Sequence, residues 1–162
     1  HEYDNKFKIG AITDTIYYIG NLKRKCSLSK QNINDYSIKY ISPKNKNFHN
    51  ECYNGIHINY LKKNHYYYNN ITSTKLSTAL YLNSIFICNR VPIYLEILGD
   101  NYEYYLNDDL SNIKELIGKA KDTILDDNKY NNYINKYKII KESLSPEKIN
   151  IEYIKILNKY LN

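Results

Sequence analysis

The stretch Val91-Pro92-Ile93-Tyr94-Leu95-Glu96-Ile97-Leu98-Gly99-Asp100-Asn101-Tyr102-Glu103-Tyr104-Tyr105-Leu106 decides how the chain is read. Val91 to Leu98 is an apolar run rich in β-branched residues, which suits a strand, and Pro92 places that strand at a sheet edge or at its first residues. Gly99-Asp100-Asn101 supplies a turn, and Tyr102 to Leu106 returns as an aromatic partner strand. Read this way, the stretch is a β-hairpin, and the sheet it belongs to is antiparallel.

Working toward the N-terminus, residues 7–19 alternate and then condense into Ile16-Tyr17-Tyr18-Ile19, bounded by Thr13-Asp14 and Gly20-Asn21, which predicts a further hairpin. Leu22 to Leu28 is a third candidate strand, residues 29–36 one or two helical turns, and Ile38-Lys39-Tyr40-Ile41 a short strand stopped by Ser42-Pro43. Residues 43–54 are polar and read as a loop, and Ile56 to Leu61 alternates as a strand. A helix is expected over 73–86, capped by Thr72, Ser73 or Thr74 and carrying Leu76, Ala79, Leu80 and Leu82 or Asn83.

Toward the C-terminus the period changes to that of a helix. Leu110, Ile113, Leu116, Ile117, Ala120 and Ile124 share one stripe, with Asn107 or Asp108 as cap, and predict a helix over 108–125. Tyr130, Tyr133, Ile134, Tyr137 and Ile140 predict a second over 129–142, and Ser145-Pro146-Glu147 starts a third over 146–160. The expected fold is therefore α+β. A single domain spans 1–162, with a mostly antiparallel sheet in residues 7–106 and three C-terminal helices in 107–162 packed against it.

Composition sets limits on function. Asn, Ile, Lys and Tyr supply 89 of the 162 residues, and all four have A/T-only codons, so an AT-rich genome accounts for much of the bias. The net charge is +6, carried by the front of the chain. Residues 1–95 hold thirteen Lys/Arg against five Asp/Glu, and residues 96–162 hold ten against twelve. Only Arg24 and Arg90 are arginines, which weakens a base-reading role. Cys26, Cys52 and Cys88 are widely spaced and odd in number, so they form no disulfide framework. No run of about 18 apolar residues is present, so no membrane span is expected.

Motifs for chemistry are missing. His49, His57 and His65 lack the close paired spacing of a zinc site, and the five glycines are isolated rather than grouped into a phosphate-binding loop. Asp108-Asp109 and Asp126-Asp127 sit at helix boundaries, where carboxylates cap. No catalytic residue, metal ligand or cofactor is assigned. Twenty tyrosines with no Trp or Met are the remaining oddity. Tyr66-Tyr67-Tyr68 beside Lys62, Lys63 and Lys75 suits stacking against single-stranded nucleic acid, and amphipathic rings such as Tyr94, Tyr102 and Tyr104 suit a protein-binding surface if they are exposed.

One resemblance rests on Val91-Pro92-Ile93-Tyr94, Tyr104-Tyr105-Leu106 and Asp108-Asp109-Leu110 leading into Ile113 and Leu116-Ile117, with Ala79-Leu80 on a preceding helix. Over about 45 residues this pattern resembles the small plastid-import (Tic) chaperones of the space between envelope membranes. The resemblance implies a non-enzymatic, chaperone-like module that binds unfolded or translocating polypeptide in a plastid, and it carries over no site residue. The expected function is accordingly protein binding linked to plastid import. The alternative is single-stranded nucleic-acid binding through Lys62, Lys63 and Tyr66 to Tyr68.

Overall fold

The computed structural model describes residues 13–20, 28–42, 55–69 and 74–161. Five strands form one sheet: β1 (Ile16–Ile19), β2 (Lys39–Ile41), β3 (Ile56–Asn59), β4 (Ile85–Asn89) and β5 (Tyr105–Leu106). Their order is β2-β1-β3-β4-β5, and every adjacent pair is parallel. The helices are α1 (Lys30–Asp35), α2 (Thr74–Tyr81), α3 (Pro92–Leu98), α4 (Ile113–Leu125), α5 (Asp127–Ser143) and α6 (Pro146–Leu161).

Helices and strands are both present, as expected, but the mostly antiparallel sheet is overturned, and helices are not confined to the C-terminus: α1, α2 and α3 lie between strands, while α4, α5 and α6 follow β5. The reason is visible in the strands themselves. Every residue of β3 and β4 is buried. Successive strand side chains point to opposite faces, so this run of burial requires cover on both sides, as in a parallel sheet served by crossover helices. Ile85-Phe86-Ile87-Cys88 is such a run, and residues expected to end a helix over 73–86 in fact build the strand β4.

Two local signals set these boundaries. Asn83 takes a left-handed conformation (φ 54°), its N–H bonds the Leu80 carbonyl (3.1 Å), and the Ser84 N–H reaches the Ala79 carbonyl (2.8 Å). This is the paired hydrogen-bond closure that ends a helix at a residue tolerating positive φ, and Asn is one of the few that does. Val91 to Leu98 forms no strand and no hairpin. Pro92 occupies the first turn of α3, where its missing N–H costs nothing. Tyr94 and Leu95 bond back to the Val91 carbonyl, and Gly99 (φ 76°) closes the helix with its N–H on Leu95.

The remaining elements follow expectation more closely. Ser29 and Asn32 cap α1 reciprocally. The helix expected over 108–125 begins at Ile113, because Asn107 to Asn112 forms a turn with Leu110 at φ 62°. The helix expected over 129–142 starts at Asp127, capped by the Asp126 carboxylate on the N–H groups of Asn128 and Lys129. The Tyr66-Tyr67-Tyr68 segment is one 3₁₀ turn. The loop 43–54, most of the strand expected over 22–28 and the first half of the hairpin in 7–19 lie outside the described residues. No described helix is long and apolar enough to cross a membrane.

Tyrosine takes the place of Phe and Leu in the core and uses its hydroxyl to satisfy backbone groups. The Tyr130 hydroxyl donates to the Asn83 carbonyl (2.7 Å), Tyr102 donates to the Phe86 carbonyl, and Tyr133 accepts from the Phe86 N–H (3.3 Å). Rings of Tyr102, Tyr104, Tyr133 and Tyr137 meet edge-on or tilted at centroid separations of 4.8–5.9 Å. This cluster fastens α4 and α5 to β4 and β5.

Candidate functional site at the carboxyl edge of the sheet

The chain leaves β1 toward β2 on one side, then returns past β1 to β3, β4 and β5 on the other. The strand order therefore reverses between β1 and β3, which is the switch point of a doubly wound sheet. In doubly wound sheets, including those of this strand order, ligands bind there.

Lys75, on the first turn of α2, is the side chain that reaches this point. Its Nζ lies 2.6 Å from Asn59 Oδ1, at the end of β3. The same ammonium sits 5.0 Å from the ring centroid of Tyr18 in β1. One cation therefore touches both strands that flank the reversal. Asn59 is 1% exposed, and its Nδ2 donates to the Tyr94 hydroxyl (2.9 Å). Tyr18 in turn stacks on Tyr40 of β2.

A second asparagine closes β4. The Asn89 side chain donates through Nδ2 to the Leu61 carbonyl (2.7 Å) and accepts at Oδ1 from the Leu61 N–H (3.0 Å). This reproduces a ladder pair just beyond the last residue of β3. With the Tyr68 hydroxyl bonded to the Arg90 carbonyl, it lays residues 61–68 across the strand ends. The Tyr60 hydroxyl donates to the Asp108 carbonyl (2.6 Å), tying the same segment to the exit of β5. Burial first, and then the Asp108 charge, push the Tyr60 and Tyr68 hydroxyl pKa values up, so both stay neutral donors at physiological pH.

Charge follows the same geometry. Between Glu51 and Glu96 the sequence contains no Asp or Glu, and its four cations are Lys62, Lys63, Lys75 and Arg90. All four follow the carboxyl end of β3 or β4, so this stretch adds only positive charge to that edge of the sheet. Acids return only toward β5. Asp100 approaches Arg90 and Asp108 approaches Lys63, each at 3.9 Å between exposed side chains. The Arg90 guanidinium is also held over the Tyr105 ring, 4.6 Å from its centroid.

The residues expected to form contacts divide sharply. Tyr94, Tyr102 and Tyr104 are 0%, 4% and 1% exposed, so all three are core residues and present no surface. Lys62 and Lys63 are exposed, Tyr66 is 74% exposed, and Tyr68 is buried with its hydroxyl committed to the backbone. The side chain of Tyr67 lies outside the described residues. Cys88 is buried and free, while Cys26 and Cys52 lie outside the described residues. No group of three His, Cys, Asp or Glu side chains is placed to hold a metal ion among the described residues.

A trough of about 1050 Å³ lies elsewhere, between α4 and α5 against the amino side of β5. Its lysines are balanced locally: Lys119 and Lys136 both reach Glu103, at 3.1 and 3.8 Å. It does not include the carboxyl ends of the strands. Lys75 is read from the sequence only as a neighbour of the Tyr66 to Tyr68 platform, and Asn59, Asn89 and Arg90 are not singled out as site residues. Two signals were available: an Asn ending each of the Ile-rich strands β3 and β4, and the acid-free stretch around four cations. No protein-family model, curated protein or solved structure matches this chain.

Proposed function

We propose that this domain binds a phosphorylated small molecule of the nucleotide type over the carboxyl edge of its sheet, with the anionic group at the β1/β3 reversal. The observation that carries this reading is Lys75, whose ammonium spans Tyr18 of β1 and Asn59 of β3 at the position where doubly wound sheets take ligands. Lys62, Lys63 and Arg90 add positive potential along the same edge and favour capture of an anion. The expectation of a polypeptide-binding surface at Tyr94, Tyr102 and Tyr104 is not carried forward, because those rings are interior.

The test is titration of the ¹⁵N-labelled chain with pyrophosphate and with nucleoside diphosphates. Amide shifts should cluster at residues 59–62, 75 and 89–91. Lys75→Met should weaken binding by about tenfold or more, the scale of one charge-assisted hydrogen bond of about 1.5–3 kcal/mol. Shifts confined to the α4–α5 trough, or equal affinity in Lys75→Met, would remove the proposal.

Single-stranded nucleic acid is the second reading, favoured by one observation: Tyr66 stands 74% exposed in the segment that also presents Lys62 and Lys63. An exposed aromatic ring beside two cations is the minimum such a platform needs. An oligonucleotide would show an affinity falling steeply with salt and sensitive to Tyr66→Ala. A mononucleotide held at Lys75 would be little affected by that substitution.

A further inference from the structure

We infer that Asn59 is the positioning residue of this site, and that it couples Lys75 to the core through the Tyr94 hydroxyl. The inference rests on the anion-binding reading above and goes one step inward from it.

The orientation of the Asn59 amide is fixed by chemistry. A lysine ammonium has donors only, so the atom 2.6 Å from Nζ must be the amide oxygen. The amide nitrogen is then turned to the Tyr94 hydroxyl, 2.9 Å away, which accepts. Exchanging the two amide atoms would set an N–H against an ammonium, so the pair has one arrangement.

Tyr94 is itself immobile. It is fully buried, its ring stands edge-on to Phe86 of β4 at 5.2 Å, and its carbonyl accepts from the Tyr105 hydroxyl at 3.1 Å. A line of contacts therefore runs from β4 and β5 through α3 to Asn59 and ends on the Lys75 ammonium. Lysine has a long flexible stem, and ordering it costs affinity unless the free protein has ordered it already. Asn59 contributes to that ordering, and it does so with a neutral oxygen that brings no charge of its own.

The test compares wild type, Lys75→Met, Asn59→Ala and Tyr94→Phe, using pyrophosphate as the probe. The second readout is the side-chain ammonium resonance of Lys75 in ¹⁵N-labelled protein, which is seen only when the ammonium is held against rapid exchange with water. Wild type should show that resonance. Asn59→Ala and Tyr94→Phe should lose it while the backbone amide spectrum stays folded, and both should bind pyrophosphate about 2- to 10-fold more weakly, the range for releasing one flexible side chain. Tyr94→Phe keeps the ring and its packing, so it isolates the hydroxyl if Asn59→Ala proves too unstable. An unchanged Lys75 resonance and unchanged affinity in Tyr94→Phe would overturn the coupling. Equal affinity in wild type and Lys75→Met would instead overturn the anion-binding reading beneath it.

Discussion

Tyr133 and Tyr137 lie one turn apart on α5 with ring centroids 4.8 Å apart, yet their hydroxyls are treated oppositely. Tyr133 meets the Phe86 N–H, the Ser84 carbonyl and the Tyr102 hydroxyl at 3.3–3.4 Å. Tyr137 is 4% exposed, and its hydroxyl has no hydrogen-bond partner. An unmet buried hydroxyl is a cost, whereas a removed partner leaves a cost behind. Tyr133→Phe should therefore destabilise the domain by about 1–2 kcal/mol. Tyr137→Phe should be neutral or stabilise it by up to about 1 kcal/mol. Urea unfolding of the two variants beside wild type measures both, and a larger loss in Tyr137→Phe would contradict the packing described.

The buried tyrosines also set an alkaline limit. Burial raises the Tyr130 hydroxyl to about 12 from its ordinary value of 10.0. Tyr94, Tyr102 and Tyr133 are raised further, again chiefly by burial. A group whose folded pKa lies above its unfolded value adds stability fully below the unfolded value and loses it as pH rises through the folded one. Stability should thus be flat with respect to these groups up to about pH 10 and then fall steeply toward pH 12. Followed by tyrosinate absorbance and circular dichroism together, most of the buried tyrosines should ionise in the same step that unfolds the chain.

Asn89 is fully buried and gives both amide atoms to Leu61. Asn89→Leu keeps the branch at Cγ but leaves the Leu61 N–H and carbonyl without the Asn89 amide, a penalty of about 2–4 kcal/mol for the pair. The damage should be directional. Hydrogen exchange at Leu61 and along 62–68 should rise well above the change in the rest of the sheet, and ligand capture at the carboxyl edge should weaken with it.

Gly55 precedes β3 with almost no clearance. A Cβ built there would stand 2.6 Å from the Thr15 carbonyl oxygen and 2.8 Å from that of Thr13. Both are backbone atoms, so no side chain can swing aside, and the Ile56 N–H already bonds Thr15 at 3.0 Å. Gly55→Ala should cost about 1–3 kcal/mol in thermal or chemical unfolding. Gly118, whose Cβ position is open, should accept Ala without loss and gain helix propensity.

The sequence was legible where a pattern repeats over many residues and ambiguous where it is short. The stripes through Leu116, Ala120 and Ile124 and through Tyr130, Tyr133 and Tyr137 persist for several turns, and α4 and α5 follow them. Val91 to Leu98 is eight residues of apolar chain, which fits a strand or two helical turns equally well. What settles it is Pro92 and Gly99 as the two ends of a helix, and both had been taken for strand and turn residues. The helix expected over 73–86 takes in Ile85 and Phe86, the first residues of β4, because the period stays plausible through Leu82, and the stop at Asn83 is a backbone conformation rather than a change in hydropathy. With those two segments exchanged, the antiparallel hairpin becomes a crossover and the sheet turns parallel. The site was obscured for the same reason, since a switch point exists only once strand order is known. In sequence Lys75 reads only as one more cation near Tyr66 to Tyr68, and its contacts with Tyr18 and Asn59, 57 and 16 residues away in the chain, follow from the strand order.

The two outermost strands are the shortest of the five, three residues in β2 and two in β5. A sheet edge is a row of open hydrogen-bonding groups that a second copy of the chain can extend, and Ile- and Tyr-rich segments are well suited to doing so. Here the segment with the strongest tendency of that kind, Ile85-Phe86-Ile87-Cys88, runs in β4, flanked on both sides, while the described edge of β2 offers a solvent-facing Lys39. The order of the strands thus shields a composition inclined to fibril formation. Loosening β5 would withdraw that shield from β4 before the rest of the fold gave way.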